Sequence, residues 1–195
     1  DGSGANRIYT PASIDEVLTV AAVNQFDETT DFSSEGGVSR YNGSTVKPDI
    51  TAPGGSFNGV PLLSADSNDW DAEKMWLDVL ANDSAPMQGT SMSAPIVSGA
   101  ASVVIQALGG FADWQYTRSR ALMPKMLLLM TATETNPNVR EGSTSLYSPS
   151  LDRGGKDAHE GFGRLNLDVA VDAVLKSYRI GAMETGTLGR PPIAT

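Results

Sequence analysis

One stretch constrains the fold of this chain more than any other: the apolar run that follows Gly89-Thr90-Ser91-Met92-Ser93-Ala94-Pro95. Counted from Ser91, the stretch through residue 108 has the length of about five helical turns at roughly 3.6 residues each. Its apolar residues fall on almost every face, and a helix that is apolar all round is buried. The pattern therefore predicts a buried central helix whose core residues include Val97, Ala100, Val104 and Ile105.

Ser91 is predicted to lie at the N-terminal end of this helix. The first N–H groups of a helix have no partner within the helix, and its dipole is positive there, so developing negative charge is favoured. A hydroxyl nucleophile at that position suits acyl transfer, because the tetrahedral oxyanion needs fixed donors. The alternative interpretation is that Ser91 is simply the N-cap, a position where serine is favoured.

Four ordered motifs resemble those of the subtilisin-like serine proteases. Residues 89–95 resemble the nucleophile motif Gly-Thr-Ser-Met-Ala/Ser-x-Pro, which implies that Ser91 is the nucleophile, flanked by the motif residues Gly89, Thr90, Met92 and Pro95. The other three motifs are a strand with a Phe-Ser-Ser-x-Gly segment (17–23 and 31–36), Lys-Pro-Asp-Ile-x-Ala-Pro-Gly (47–54) and Gly-Phe-Gly-x-Leu-Asn (161–166). The resemblance covers roughly residues 1–176.

The remaining segments predict an α/β fold, a doubly wound parallel sheet with helices on both faces. Residues 16–23 form a nearly continuous apolar run, typical of a buried parallel strand, and residues 46–52 predict a second strand. Residues 114–130 and 165–176 predict helices, the first kinked or restarted at Pro124. The resemblance implies the same sheet, in partial form. We expect one peptidase-domain part over residues 1–178 and a tail over 179–195.

The chain lacks the other catalytic motifs of the subtilisin-like proteases. A serine nucleophile needs a general base and an acid that orients the base. The resemblance implies that the Asp, the His and the oxyanion Asn precede the serine, but the sequence before Ser91 contains no histidine, and Asp1-Gly2 looks like the pair that directly follows that Asn. We therefore expect all three groups to lie outside this chain, and this chain alone to be inactive.

His159 is the only histidine, and it follows the serine in a charged segment. A Ser-Asp-His order, with Asp152 or Asp157 as the acid, occurs in α/β-hydrolases, but those enzymes use a Gly-x-Ser-x-Gly elbow. Ser93 stands where the second glycine would be, so we reject that reading. An exposed histidine, or one that structures its own loop, is the simpler interpretation.

The resemblance also implies a structural calcium site at Asp49, with backbone carbonyls near Asp15 and Val17 as the other ligands. Calcium prefers carboxylate and carbonyl oxygens. The alternative is an ordinary aspartate at the end of a strand. Four further aspartates in the long connection over residues 56–86 are more simply a solvated acidic surface: Asp66, Asp69, Asp71 and Asp78.

The net negative charge of the chain argues against two classes of binding partner. Fourteen Lys and Arg against 23 Asp and Glu give a formal charge of −9, which argues against nucleic acid and against an anionic membrane. No apolar run approaches the roughly 20 residues that span a bilayer. With no cysteine, the chain has no disulfide. The resemblance implies a polypeptide substrate, no organic cofactor and a secreted protein.

Two functions from different classes remain open. The first is the C-terminal part of a subtilisin-like endopeptidase, whose partner is the upstream part of the same peptidase domain. The second is a non-catalytic module with the subtilase fold that acts as a structural or binding unit. Both predict the same fold around Ser91, and they differ in whether the missing catalytic groups come from elsewhere.

Overall fold

Six strands precede three helices in the part of the chain that the computed structural model describes, residues 8–38, 46–56, 59–65, 84–110, 117–135 and 156–176. The strands are β1 (Val20–Val23), β2 (Gly37–Val38), β3 (Val46–Lys47), β4 (Ile50–Pro53), β5 (Leu62–Ala65) and β6 (Ser84–Met87). The helices are α1 (Thr90–Ala107), α2 (Arg118–Met130) and α3 (Leu167–Leu175).

The predicted parallel sheet is built on β1 and β4. The two strands pair in parallel, from Val20 opposite Ile50 to Val23 opposite Pro53, and most of their residues are buried. On the far side of β4, Arg164 forms a parallel bridge with Thr51, so the sheet continues into the 161–166 motif. The expected α/β class with a parallel sheet is confirmed. The predicted strands were too long, because the segments that precede β1 and β4 are occupied by turns and by the short strand β3.

Helix α1 packs against this sheet through one stripe of its surface. Its buried residues recur with helical spacing and are Ser93, Val97, Ala100 and Val104. Ile105 is only half-buried, so the prediction that it is buried was wrong. The apolar residues Ile96 and Val103 are 36% and 45% exposed. The prediction that the helix is buried on all sides was therefore also wrong, because no described segment covers the face opposite the buried stripe.

Helices α2 and α3 complete the core around α1. Thr117 caps α2 by accepting the Arg120 N–H, and Asn166 caps α3 by accepting the Val169 N–H. Pro124 lies inside α2 without restarting it. The helix continues past the proline because its second half is anchored in the core. The buried residues of this core are Ile50, Ala52, Val97, Ala100, Val104, Leu127, Leu128 and Ala170.

The two ends of the 56–86 connection form an antiparallel ribbon in which β5 pairs with β6, Leu62 opposite Met87. Sequence reasoning missed this ribbon, because neither strand shows a clear apolar alternation. The four aspartates named in this connection, and the predicted boundary between residues 178 and 179, lie outside the described residues.

Candidate active site

Ser91 lies in the first turn of α1, and it is exposed. The helix begins at Thr90, and its N-cap is Gly89, whose φ of 139° is a conformation that favours glycine. Ser91 is therefore not the N-cap, and that alternative is wrong. The first turn contains no acidic residue that would offset the positive end of the helix dipole.

Backbone hydrogen bonds fix this first turn to the carboxyl ends of the parallel strands. The N–H of Gly89 donates to the carbonyl of Gly54 at 2.8 Å, and the N–H of Gly54 donates to the carbonyl of Val23 at 2.9 Å. The Met92 N–H donates to the Gly89 carbonyl at 2.9 Å. Ser91 is thus held outside the carboxyl ends of β1 and β4, the edge of an open parallel sheet where ligands ordinarily bind.

Close packing beneath Ser91 fixes the position of the helix. Ser93 is fully buried, and a β-carbon placed on Gly54 would lie only 2.7 Å from the Ser93 Oγ and 2.5 Å from the Ala22 Cβ. Strand β1, the end of β4 and helix α1 therefore meet at a point where only a glycine fits.

A cavity of about 280 Å³ adjoins the start of α1. Its walls come from residues 8–12, the start of β1, the 33–34 segment and Thr90, the neighbour of Ser91. The cavity combines apolar side chains with hydroxyl groups. Its position beside an exposed hydroxyl makes it the concave part of the candidate site.

His159 belongs to a different part of the structure. Its side chain is buried, and its Nδ1 lies 3.8 Å from the Oε1 of Glu35. Its backbone N–H donates to the Oδ1 of Asp157 at 2.8 Å. No side chain of the described residues hydrogen-bonds to the Ser91 hydroxyl. An exposed His159 is therefore wrong, and the contacts of this residue agree with the other interpretation, that it structures its own loop.

The predicted calcium ligands do come together, but lysine ammonium groups already hold them. Asp49 receives the Nζ of Lys47 at 2.7 Å and the Nζ of Lys156 at 2.5 Å. The carbonyls of Asp15 and Val17 receive the Nζ of Lys125 at 2.9 and 3.4 Å. The donor set therefore does not fit a calcium ion, since the oxygens that would bind it are hydrogen-bonded to cations of the chain itself.

Opposing effects set the pKa of Asp49. Burial raises the pKa of this carboxyl, but hydrogen bonds from Lys156, Lys47 and the Thr19 N–H outweigh burial and hold the pKa below its ordinary value. Burial lowers the pKa of Lys125, and the nearby charges of Lys47 and Lys156 add to that effect while Asp49 opposes it. Asp49 and the three lysines therefore form one cluster of interacting charges.

Sequence reasoning missed the three lysines. Lys47 stands two residues before Asp49, which was a usable signal for an ion pair. Lys125 and Lys156 are separated by more than 100 residues from the groups they bind, so only the fold brings them there.

Comparison with known proteins decides the family. The model described as Subtilase family, peptidase S8, matches residues 1–163. The chain belongs to the subtilase family. This subtilase is 29% identical over 189 residues to the cell wall-associated protease of Bacillus subtilis, covering 93% of this chain and 17% of that protein. It is 27% identical over 165 residues to the PII-type proteinase of Lacticaseibacillus paracasei, covering 82% of this chain and 7% of that protein.

A solved structure agrees at the level of the fold. The Clostridium perfringens CspB protease aligns with a TM-score of 0.58 at 22% identity, covering 88% of this subtilase and 29% of that chain. The subtilase thus spans less than a fifth of the length of each of the two relatives and less than a third of the solved CspB chain. In the part of the chain that is described, no helix has both the length and the apolar character to cross a bilayer.

Proposed function

We propose that this subtilase is part of a serine endopeptidase that hydrolyses peptide bonds through an acyl-enzyme on Ser91. The observation that carries the proposal is the placement of an exposed serine in the first turn of α1, at the carboxyl ends of β1 and β4. There the Ser91 Oγ attacks the scissile carbonyl, and the oxyanion that forms lies near the N–H groups at the start of the helix. The Gly89, Thr90, Met92 and Pro95 positions of the motif hold the first turn in place.

The general base, its orienting acid and the oxyanion asparagine come from outside this chain in this proposal. A serine hydroxyl needs a base within hydrogen-bond reach, roughly 2.6–3.2 Å. The one histidine of the chain is turned toward Glu35 instead. Alone, this chain is therefore inactive.

The uncovered face of α1 supports the upstream part of the same peptidase domain as the partner. Ile96 and Val103 are exposed on this face, and a β-carbon on Gly99 would meet nothing within 4 Å. Apolar residues left uncovered on a central helix favour a protein partner. The partner that covers this face brings the catalytic Asp, His and Asn toward Ser91.

The substrate is a polypeptide. The cavity beside Thr90 has room for a substrate side chain next to the reacting serine. One relative is a cell wall-associated protease, which supports a secreted or cell-surface location for this subtilase. No organic cofactor is needed for this chemistry.

A second candidate is a non-catalytic module with the subtilase fold. It is favoured by the lack of any hydrogen bond from a described side chain to the Ser91 hydroxyl. Such a module would use the same exposed face of α1 to bind a partner without hydrolysing it.

Hydrolysis of a quenched fluorescent protein substrate separates the two candidates. The natural protein that carries this chain is compared with its Ser91→Ala and Ser102→Ala variants, since Ser102 is another exposed serine of α1. The endopeptidase predicts that Ser91→Ala abolishes turnover and Ser102→Ala retains it. Equal turnover in all three, or none in any, would reject the endopeptidase.

A further inference from the structure

Lys47 occupies the centre of the cluster around Asp49. Its Nζ donates to the Oδ2 of Asp49 at 2.7 Å and to the carbonyl of Val17 at 2.7 Å. The side chains of both Lys47 and Asp49 are 2% exposed. A buried ammonium group is costly unless it is paired and hydrogen-bonded, and here it is both.

Two more lysines bind neighbouring oxygens of the same cluster from distant parts of the chain. Lys125, on α2, donates to the carbonyls of Asp15 and Glu16 at 2.9 and 3.3 Å. Lys156 donates to the Oδ1 of Asp49 at 2.5 Å, and its Nζ lies 5.6 Å from the centre of the Phe162 ring. Both oxygens of Asp49 and the carbonyls that precede β1 are thereby bound.

The charges of the cluster oppose a metal ion. Three ammonium groups surround the single carboxylate of Asp49, and Glu16 adds a further negative charge near Lys125. A divalent cation would enter a site that already has a positive excess, where like charges repel strongly in a low dielectric. Among the described residues, no three acidic, histidine or cysteine side chains form a group able to hold a metal.

We infer that Lys47, Lys125 and Lys156 permanently take the place of a cation at Asp49 and the 15–17 carbonyls. In this subtilase the lysines tie α2 and the 156–162 loop to the sheet, so the stability of this region does not depend on calcium. The inference concerns stability alone and does not depend on catalysis by Ser91.

Chemical reactivity of the lysines tests the inference directly. The natural protein is treated briefly with acetic anhydride, in calcium or in chelator, and acetylation is quantified by mass spectrometry at each lysine. Lys176, whose side chain is 55% exposed, is the matched control. We expect Lys47, whose side chain is 2% exposed, to react at least about tenfold more slowly than Lys176, because a buried amine meets the reagent only when the fold opens locally. We expect the acetylation of Lys47 and of Lys125 to be equal in both buffers. Faster acetylation of these lysines in calcium would show displacement by the ion and overturn the inference.

Thermal melting gives a second test. Melting curves of the natural protein and of Asp49→Asn are recorded in calcium and in chelator, since an ion that binds the native state raises its melting temperature. We expect any effect of calcium to be the same in both proteins. A calcium-dependent rise that is lost in Asp49→Asn would contradict the inference. If Asp49→Asn does not fold, the acetylation comparison decides alone, because it needs no variant.

Discussion

Replacement of Gly54 by alanine tests how the first turn of α1 is fixed to the sheet. The backbone at Gly54 lies outside the left-handed region, so alanine is strained only by its neighbours. The new β-carbon would lie 2.5 Å from the Ala22 Cβ and 2.7 Å from the Ser93 Oγ, whereas ordinary carbon contacts are about 3.5–4.0 Å. Such overpacking typically costs about 1–3 kcal/mol. For a chain of this size, that corresponds to a fall in the melting temperature of roughly 2–12 °C.

Urea unfolding followed by circular dichroism measures this cost, and the chain supplies its own controls. Gly99→Ala places a β-carbon where nothing lies within 4 Å, so this helical substitution should stabilise the fold by roughly 0.5–1 kcal/mol. Adding Ser93→Ala to Gly54→Ala should recover part of the loss, because one of the two close contacts disappears. A Gly54→Ala variant with the unfolding midpoint of the parent chain would refute the account of how β1, β4 and α1 meet.

Two further predictions concern the core and the buried carboxylate. Leu128→Ala should cost roughly 2–5 kcal/mol in urea unfolding because Leu128 is fully buried, whereas Met130→Ala, at a residue 65% exposed, should stay within about 0.5 kcal/mol; equal costs would contradict the described core. Asp49 has a folded-state pKa below the 3.8 of the unfolded chain, so its stabilising contribution is present above pH 3.8 and is lost as the pH falls through the folded-state pKa. Asp49→Asn should flatten the acid limb of the stability profile, and an unchanged acid limb would reject the pairing of Asp49 with the lysines.

The central parts of the fold could be predicted because local pattern and tertiary packing agree there. The apolar run after Ser91 does form α1, and the glycines that follow it lie just beyond its end at Ala107. The run could not show which faces of the helix are covered. Ile96 and Val97 are both apolar, but only Val97 meets a described neighbour that buries it. Likewise, Pro124 was expected to kink or restart its helix; the helix does not restart, and the core contacts of Leu127 and Leu128 hold one continuous α2.

Individual residues of the site could be predicted from the sequence, but the contacts that the fold creates between them could not. The position of Ser91 at a helix start follows from the residues around it, and the glycine before it fixes the cap. Asp49 and the carbonyls of Asp15 and Val17, expected together as calcium ligands, are joined in the structure through lysine ammonium groups. Their partners were not foreseen, because Lys125 is 110 residues from Asp15 and no local pattern links the two.

Labelling of Ser91 by a fluorophosphonate probe tests the central claim most directly. The chain is incubated with the probe alone and then together with the segment that the proposal requires, the upstream part of the peptidase domain, supplied as a separate polypeptide. The proposal predicts no labelling of the chain alone, since loss of the catalytic His and Asp reduces reactivity by several orders of magnitude. It predicts labelling when the segment is added, and the loss of that labelling in Ser91→Ala. Labelling of the chain alone that disappears in His159→Ala would contradict the account and make His159 the base.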